Sequence, residues 1–374
     1  MVFVLLLFIC VLAFANGAND NCKGVATLVG FGAAKPKQAL IWAAVTTACG
    51  AVVSYWISGA LVDKFSRSLF EAGIVLDHGF FVAVLFGALG WVLIATKSGL
   101  PVSTTHSITG ALIGAGLVAF SSGGIRWTFL VDKFAKPLAL SPILSLAVVF
   151  LLAWPVTALV QRYANLCVCV VPAPPAQLGS TAGALNMSAA APPGPALVAA
   201  YDGACEAQPV IASATAAMVA NAVHWTSSGM VGFARGWNDA PKIAALGTVA
   251  AATVAPEHGR PLVFLLVTAA MAAGGLIAGA SVLETLAKKV TPLPLVESLT
   301  ASTVTSTLVS LASWNGLPVS TTHVSTGAII GAGLKNNARE VRWGKVGEIV
   351  LSWLITLPVS ALLASGALFL LSRL

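Results

Sequence analysis

Apolar residues occupy long continuous runs along the chain, and short polar segments separate these runs. Many runs are close to 20 residues long, the length that crosses a hydrocarbon core of roughly 30 Å as an α-helix. Apolar and polar residues do not alternate along the runs, as they would in the strands of a membrane barrel. The pattern therefore predicts an all-α polytopic membrane protein. Helices are expected over about residues 2–33, 39–61, 80–96, 138–160, 210–227, 235–254, 261–286, 295–312 and 346–371.

One polar motif interrupts the apolar pattern twice. The segment Gly99–His106 reads Gly-Leu-Pro-Val-Ser-Thr-Thr-His and recurs as Gly316–His323, at an offset of 217 (316 − 99). A weaker repeat precedes each copy, because Gly17-Ala-Asn-Asp20 is echoed by Gly236-Trp-Asn-Asp239 at an offset of 219 (236 − 17). Chance does not produce two such pairs in the same order. The chain is therefore predicted to consist of two homologous halves.

The repeat and the local composition divide the chain into three parts. Residues 1–160 form a first transmembrane half and residues 210–374 form a second one. Between them, residues 161–209 are rich in Pro, Ala and Gly, and we expect this linker to be poorly ordered. The small-residue segment Gly110–Phe120 that follows the first motif is too short to span a membrane alone. With the proline before it, this segment predicts a broken or re-entrant helix.

Composition supports the membrane assignment and excludes a nucleic-acid partner. Hydrophobic residues make up 57% of the chain and charged residues only 9%, against roughly 25% charged in soluble domains. The net charge is +7, but the basic residues lie singly or in small clusters between apolar runs, as in loops that face anionic lipid. We therefore expect a multi-pass protein of the cell (inner or plasma) membrane that is embedded in the lipid bilayer.

The Asn-Asp pairs are candidates for binding a coupling cation. Ionisable residues inside apolar membrane segments are costly, so they normally face a cavity and have a function there. Each Asn-Asp pair lies close to a glycine, as in Asn19 with Asp20 and Asn238 with Asp239. A helix could unwind there, between Asn16 and Asp20 in the first copy and at the corresponding position in the second. Carboxylate, amide and freed carbonyl oxygens would together suit a small hard cation. The alternative is a satisfied polar contact between helices.

The Ser-Thr-Thr triplets are candidates for binding an oxyanion. A helix that begins inside the membrane offers unpaired N–H groups and the positive end of its dipole. Neutral hydroxyl donors beside it can surround an oxyanion and still release it. The alternative is that the hydroxyls serve packing and hydrogen bonding between helices, but two near-identical copies favour the binding site. The candidate residues are Ser103, Thr104, Thr105, Ser320, Thr321 and Thr322.

Five further residues are candidate accessory groups. Lys23 and Lys242, each four residues after its Asn, could neutralise the anion or extend to an interface. His106 and His323 end the motifs and could carry protons, although we favour hydrogen bonds that hold a broken helix. Glu297 lies in a Thr-rich apolar run without a counterpart in the first half and could belong to a coupling path.

At this point the chain resembles the inorganic phosphate transporters of the PiT type. Their duplicated Gly-Ala-Asn-Asp signature is matched in full at Gly17–Asp20 and in three of four residues at Gly236–Asp239, and Pro-Val-Ser-Thr-Thr-His is similar to their second motif. The resemblance covers nearly all of the chain except the linker. It implies a cation-coupled phosphate carrier with inverted-topology halves, in which the motif residues bind phosphate and the coupling cations.

The sequence departs from that family after each Asn-Asp pair, where small residues are usual. Asn21-Cys-Lys23 and Ala240-Pro-Lys242 stand there instead. Our hypothesis is that a lysine ammonium near the site replaces one bound metal cation. This replacement would favour coupling to protons over coupling to sodium.

The sequence thus predicts a secondary transporter of inorganic phosphate, coupled to H⁺ or Na⁺ and working by alternating access. The nearest alternative is a permease for sulfate or a related oxyanion on the same scaffold, and a passive channel is a further one. An enzyme of phosphoryl transfer is disfavoured, because no nucleophile with a clustered metal site and no nucleotide-binding loop is found. No cofactor besides the coupling ion is expected, and assembly as a homodimer stays open.

Overall fold

The structure, a computed structural model, describes residues 2–172, 195–201, 210–254 and 258–373. In the first half, a 3₁₀ turn at Asn21–Gly24 follows the first helix, and a π-helical segment at Val131–Ala135 precedes the last one. The helices are α1 (Val2–Asp20), α2 (Ala26–Phe31), α3 (Pro36–Ile57), α4 (Gly59–Ser66), α5 (His78–Lys97), α6 (Thr104–Phe120), α7 (Trp127–Leu130) and α8 (Lys136–Arg162).

Three short strands follow: β1 (Leu166–Val171), β2 (Ala196–Tyr201) and β3 (Ala212–Thr215). They form one antiparallel sheet in the order β2-β1-β3. The helices of the second half are α9 (Ala216–Val254), α10 (Gly259–Ala278), α11 (Ala280–Lys288), α12 (Leu295–Trp314), α13 (Thr321–Asn337) and α14 (Trp343–Leu371).

The prediction of an all-α polytopic membrane protein is confirmed, since seven of the described helical segments are long and apolar enough to cross a membrane. The order of elements also repeats, because each half contains one long helix with an Asn-Asp pair, a second long helix, a short helix, a helical hairpin and a final long helix. Outward-facing side chains of the final helices are strongly apolar, as lipid contact requires. Examples are Leu140, Ile143, Leu151, Leu354 and Leu362.

Several predicted boundaries are wrong. The break in the first segment falls at Asn21–Gly24, after the Asn-Asp pair. The two helices expected at 210–227 and 235–254 are one 39-residue helix, α9. Its packing between α3 and α12 outweighs the low helix propensity of its Gly and Ser residues. The segment expected at 261–286 divides at Gly279 into α10 and α11.

The predicted linker has regular structure where it is described. Its valine-rich start forms β1, because β-branched side chains favour strands. The expectation of poor order is therefore wrong for β1 and β2. Residues 173–194 and 202–209 of the linker lie outside the described residues.

Two helical hairpins carry the repeated motifs. Hairpin 1 consists of α5 and α6, and hairpin 2 consists of α12 and α13. The turn of each hairpin begins at a glycine in the left-handed region, with φ of 69° at Gly99 and 60° at Gly316, a conformation that other residues adopt at a cost. The second helix of each hairpin is only 17 residues long, which agrees with the predicted broken or re-entrant helix.

The two halves interlock through close helix packing. Helix α3 packs against α9 and α10 packs against α1, while α6 packs against α14 and α13 packs against α8. Small residues allow this approach, as is usual between membrane helices. A Cβ atom added at Gly17 would lie 2.0 Å from the Met271 carbonyl oxygen, and one at Gly236 would lie 2.0 Å from that of Thr47. The halves therefore share one packed core.

We expect Gly236→Ala to lower the thermal unfolding midpoint of the purified protein clearly. The new methyl group must push α3 away from α9, and overpacking of this kind costs about 1–3 kcal/mol or more. The control is Gly344→Ala on α14, where an added Cβ meets no atom within 4 Å. Equal midpoints for the two variants in the same detergent would contradict the proposed close packing.

Candidate functional site

The two hairpin turns meet at the centre of the protein. At the start of α6, the Ser103 hydroxyl oxygen accepts a hydrogen bond of 3.2 Å from the His106 backbone N–H. At the start of α13, Ser320 accepts the same bond, also of 3.2 Å, from the His323 N–H. Both serines thus cap helices whose first turns lie inside the bundle. The predicted helix starts are present, and the caps already use part of the serine hydroxyls.

The lysines of each half reach across to the hairpin of the other half. The Lys242 ammonium donates to the Thr105 hydroxyl at 2.8 Å and to the Val319 carbonyl oxygen at 2.9 Å. The Lys23 ammonium donates to the Thr322 hydroxyl and, at 2.9 Å, to the Val102 carbonyl oxygen. Each ammonium therefore links one hairpin turn to the other, and the two arrangements correspond through the repeat.

Both aspartates are buried and face these lysines. Asp20 accepts an ion-paired hydrogen bond from Lys23, and Asp239 accepts one of 3.2 Å from Lys242. Asp20 also accepts bonds from the Asn16 amide at 2.8 Å and, at 3.2 Å, from the hydroxyl of Thr104. The Asp239 Oδ2 atom is buried without a hydrogen-bond donor. The predicted cation ligands thus surround ammonium groups of the chain itself.

The two asparagines of the predicted cation sites mainly hold the hairpin turns. Asn19 donates from its amide to the Leu100 carbonyl oxygen at 2.9 Å and accepts from the Val102 N–H at 3.1 Å. Asn238 donates to the Val319 carbonyl oxygen at 3.0 Å. The expected unwinding occurs only after Asp20, because α9 runs on through Asp239. Within the described residues, no group of three His, Cys, Asp or Glu side chains could hold a metal ion.

Arg235 is a central residue that the sequence analysis missed. Its side chain is 1% exposed, and its Nε lies 3.7 Å from Asp239 Oδ2. Its guanidinium also donates to the side-chain oxygens of Asn16 and Asn21. Arg235 corresponds to Asn16 in the repeat (235 − 219 = 16), so a search for identical repeated residues passes over it. A further charge four residues before Asp239, in an otherwise apolar segment, was the available signal.

The central cluster contains more cationic than acidic side chains. Three buried cationic side chains, Lys23, Arg235 and Lys242, face two buried carboxylates, Asp20 and Asp239. The carboxylates are close enough to each other and to Arg235 to interact electrostatically. Burying an uncompensated charge is expensive, so one positive charge in surplus favours the entry of an anion. The hydroxyls of Thr104, Thr105, Thr321 and Thr322 are buried at the same helix starts.

The two motif histidines lie together on the side of the hairpin turns that faces α8 and α14. Their ring centroids are 4.6 Å apart, and His323 stacks on Trp353 at 3.9 Å. The Nδ1 atom of His106 contacts the Ser103 hydroxyl at 2.9 Å, and that of His323 contacts the Leu138 carbonyl oxygen at 3.1 Å. Both rings line an apolar cavity of about 720 Å³. These contacts favour the structural role expected for the histidines.

Glu297 lies outside the central cluster. Its carboxylate pairs with Lys335 of α13 and accepts a hydrogen bond of 3.4 Å from Thr157 of α8. This contact joins the open end of hairpin 2 to the end of α8. The structure therefore does not bring Glu297 to the other candidate residues, because it begins α12 while they lie at the hairpin turn.

The fold and the central cluster define a polytopic membrane protein built around two helical hairpins, whose turns meet at a buried cluster of charged side chains. The model of the phosphate transporter family matches residues 16–364, and the chain belongs to this family. It is thus a multi-pass protein of the cell membrane, related to transporters and not to enzymes.

Similar proteins cover the chain from end to end. Two of them are described as "Probable low-affinity inorganic phosphate transporter". The protein from Bacillus subtilis is 28% identical over 378 residues, covering 100% of this chain and 98% of that one. The protein from Rhizobium meliloti is 28% identical over 361 residues, covering 95% and 92%.

One solved structure has the same fold. It is described as "The sodium-dependent phosphate transporter" and superposes with a TM-score of 0.78 at 24% identity, covering 100% of this chain and 99% of that one. The similarity extends over both halves and the sheet region between them. It establishes that the interlocked arrangement is the fold of a known protein.

Proposed function

We propose that the chain is a cation-coupled secondary carrier of inorganic phosphate that works by alternating access. Membership of the phosphate transporter family supports the substrate class. The observation that carries the proposal is the meeting of two hairpin turns at a buried cluster with surplus positive charge. An oxyanion that enters this cluster completes its charge balance.

The proposed phosphate ligands are the hydroxyls of the motif threonines and of the serines that cap α6 and α13. Thr105 and Thr322 already contact the two ammonium groups, so an anion between the hairpin turns would meet hydroxyl and ammonium donors together. Phosphate at neutral pH also carries protons that it can donate, whereas sulfate carries none. Asp239 Oδ2 accepts no hydrogen bond and has the Arg235 Nε at 3.7 Å as its ion-pair partner, so it can accept a hydrogen bond from phosphate, which favours phosphate over the alternative oxyanion.

The lysines support coupling to protons. An ammonium that is held by a carboxylate and by carbonyl oxygens occupies the kind of position that a bound Na⁺ would need. In the proposed cycle, the protonated lysines bind phosphate, and loss of the proton after phosphate release lets the empty carrier return.

Alternating access requires that the two hairpins open to opposite sides of the membrane, and the contacts support this. The helical segment Trp127–Arg162 is 36 residues long, or roughly 54 Å at 1.5 Å per residue. Hairpin 1 ends at Phe120, and Trp127, the first residue of this segment, donates from its indole N–H to the Ser122 carbonyl oxygen just after the hairpin. The open end of hairpin 2 contacts Thr157, near its end. This arrangement agrees with inverted-topology halves. In the first half, α1–α2, α3 and α8 each cross the membrane once, and their counterparts do so in the second half. An odd number of crossings in each half inverts the second half relative to the first.

The experiment that tests the proposal is uptake of radiolabelled phosphate into proteoliposomes that contain the purified chain. We expect an inward proton gradient to drive accumulation, an inward sodium gradient at equal pH to fail, and excess unlabelled sulfate not to compete. Equilibration without accumulation would instead indicate a channel. Accumulation driven only by sodium would contradict the assigned coupling ion, and competition by sulfate would contradict the assigned substrate.

A further inference from the structure

A large cavity lies behind the two hairpin turns, on the side that faces α8 and α14. Its volume is about 720 Å³, within the range of roughly 300–1,000 Å³ that is typical of small-molecule sites. Both halves contribute matching residues to its walls, namely Ile113 with Ile330 (330 − 113 = 217) and Trp127 with Trp343 (343 − 127 = 216). In the described part of the chain, none of the charged side chains of the central cluster lines it. The cavity is therefore separate from the proposed phosphate site.

The walls of this cavity are almost entirely apolar. Among the described residues that line it there is no Asp, Glu, Lys or Arg, and the few polar groups belong to the two motif histidines, a threonine and three tryptophans. The Thr109 hydroxyl donates to the Thr105 carbonyl oxygen at 2.7 Å, and the Trp353 indole N–H donates to the Pro101 carbonyl oxygen at 3.2 Å. These groups are thus used within the protein, and the walls favour a hydrocarbon as the occupant.

Neither water nor empty space suits a cavity of this kind. A buried water molecule needs about 2–4 polar partners, and apolar cavities that lack them stay dry. An empty cavity loses the dispersion contacts of its walls, and the cost grows with its volume. A hydrocarbon chain restores those contacts without requiring any hydrogen bond.

The cavity is continuous with the lipid-facing surface of the protein. Ile143 of α8 and Leu354 of α14 line it and are 65% and 69% exposed, and both belong to the outward-facing apolar surface of the final helices. Leu138 and Trp353 also line it, but they are only 3% and 8% exposed. The cavity therefore begins at the lipid-facing surface and extends inward, so that bilayer lipid has direct access to it.

The cavity is also elongated. Its lining residues extend along the first half's final helical segment from Trp127 to Leu146 (146 − 127 = 19 residues), or roughly 28 Å at 1.5 Å per residue. Along α14 they extend from Trp343 to Leu357 (357 − 343 = 14 residues), or roughly 21 Å. The longer distance is close to the roughly 30 Å thickness of a hydrocarbon core. An extended acyl chain has the shape and the chemistry that such a space requires.

We propose that this cavity binds an acyl chain of a membrane phospholipid, with the headgroup at the membrane surface. The chain packs between α8 and α14 against the rings of His106, His323 and Trp353. It supports the first turns of α6 and α13 from the side opposite the central cluster. The proposal is independent of the transported anion and of the coupling ion.

The test uses a phospholipid that becomes reactive in light. The purified full chain is reconstituted into phosphatidylcholine vesicles that contain a phosphatidylcholine with a diazirine in the middle of one acyl chain. Irradiation attaches this chain to the residues that it touches, and peptide mass spectrometry locates them. We expect labels at Leu138 and Trp353 inside the cavity, and also at Leu151, which is 66% exposed on the lipid-facing surface. Labels at Leu151 without any at Leu138 or Trp353 would overturn the proposal.

Ala139→Trp tests whether the label inside depends on the cavity. Ala139 is an exposed alanine of α8 that lines the cavity, so the new indole fills part of the space. We expect this variant to lose the labels at Leu138 and Trp353 and to keep the label at Leu151. The matched control is Ala158→Trp, because Ala158 is an exposed alanine of the same helix that does not line the cavity. It should keep all three labels.

Two further outcomes would overturn the proposal. Labels that persist at Leu138 and Trp353 in folded Ala139→Trp protein would show that the chain reaches them by another route. If a second copy of the chain covers α8 and α14 instead of lipid, all three positions stay unlabelled in the unmodified protein. If Ala139→Trp does not fold, as its size-exclusion profile would show, the labels of the unmodified chain decide.

Discussion

Replacing Asp20 by Asn is expected to lower phosphate uptake by about 100-fold, because removal of one partner from a buried ion pair costs about 3–5 kcal/mol. The substitution leaves the Lys23 ammonium, 3% exposed, without its counter-charge. It also alters the hydrogen bond that the carboxylate accepts from the hydroxyl of Thr104, the first residue of α6. Asp239→Asn should have a similar effect through Lys242 and Arg235.

Initial uptake rates at matched protein content measure this effect, with the size-exclusion profile of each variant as a check of folding. The control is Asp132→Asn, whose carboxylate pairs with Lys136 at 2.7 Å on the surface, where ion pairs contribute little. The control should keep uptake within about twofold of the unmodified chain. Folded Asp20→Asn protein that keeps more than a third of the original rate would argue against a central role for the pair.

Replacing either central lysine by Ala is expected to change which gradient drives transport. Without Lys23, the oxygens of Asp20, Asn19 and Val102 lose their ammonium and become available to a metal cation. We expect proton-driven uptake to fall by about 100-fold, as for other losses of a buried charge partner. Any activity that remains should depend on sodium.

This change is measured by phosphate uptake into proteoliposomes that contain Lys23→Ala or Lys242→Ala, with the same proton and sodium gradients as in the uptake experiment. Lys136→Ala serves as the control, because Lys136 is a solvent-exposed lysine of α8. It should retain the cation dependence of the unmodified chain. If Lys23→Ala and Lys242→Ala also transport phosphate with that same dependence, the lysines do not take the place of the coupling cation.

The repeat made much of the fold and the positions of the hairpins predictable. Segments with the same sequence in both halves predicted the same secondary structure, and Gly99 and Gly316 indeed begin equivalent turns. The crossing of Lys23 to Thr322 could not be predicted, because spacing along the chain does not say which half a side chain enters. That choice depends on how α3 and α10 pack on the opposite half.

The central residue that the sequence analysis missed lies where the repeat fails. Arg235 and Asn16 occupy one repeat position with different chemistry. A comparison of identical residues selects what the halves share, namely the hairpin turns and the Asn-Asp pairs. Glu297 was selected for its charge alone, and its partner Lys335 lies 38 residues later in the sequence.

The packing of α6 against α14 also constrains how the protein is made. Hairpin 1 is complete at Phe120, but α14 begins only at Trp343, so more than half of the chain must be translated before the two helices can meet. At synthesis rates of about 5–20 residues per second, this takes roughly 11–45 s. During that interval hairpin 1 enters the membrane without its final neighbour. Helix α14 therefore completes the packing of hairpin 1 long after that hairpin is made.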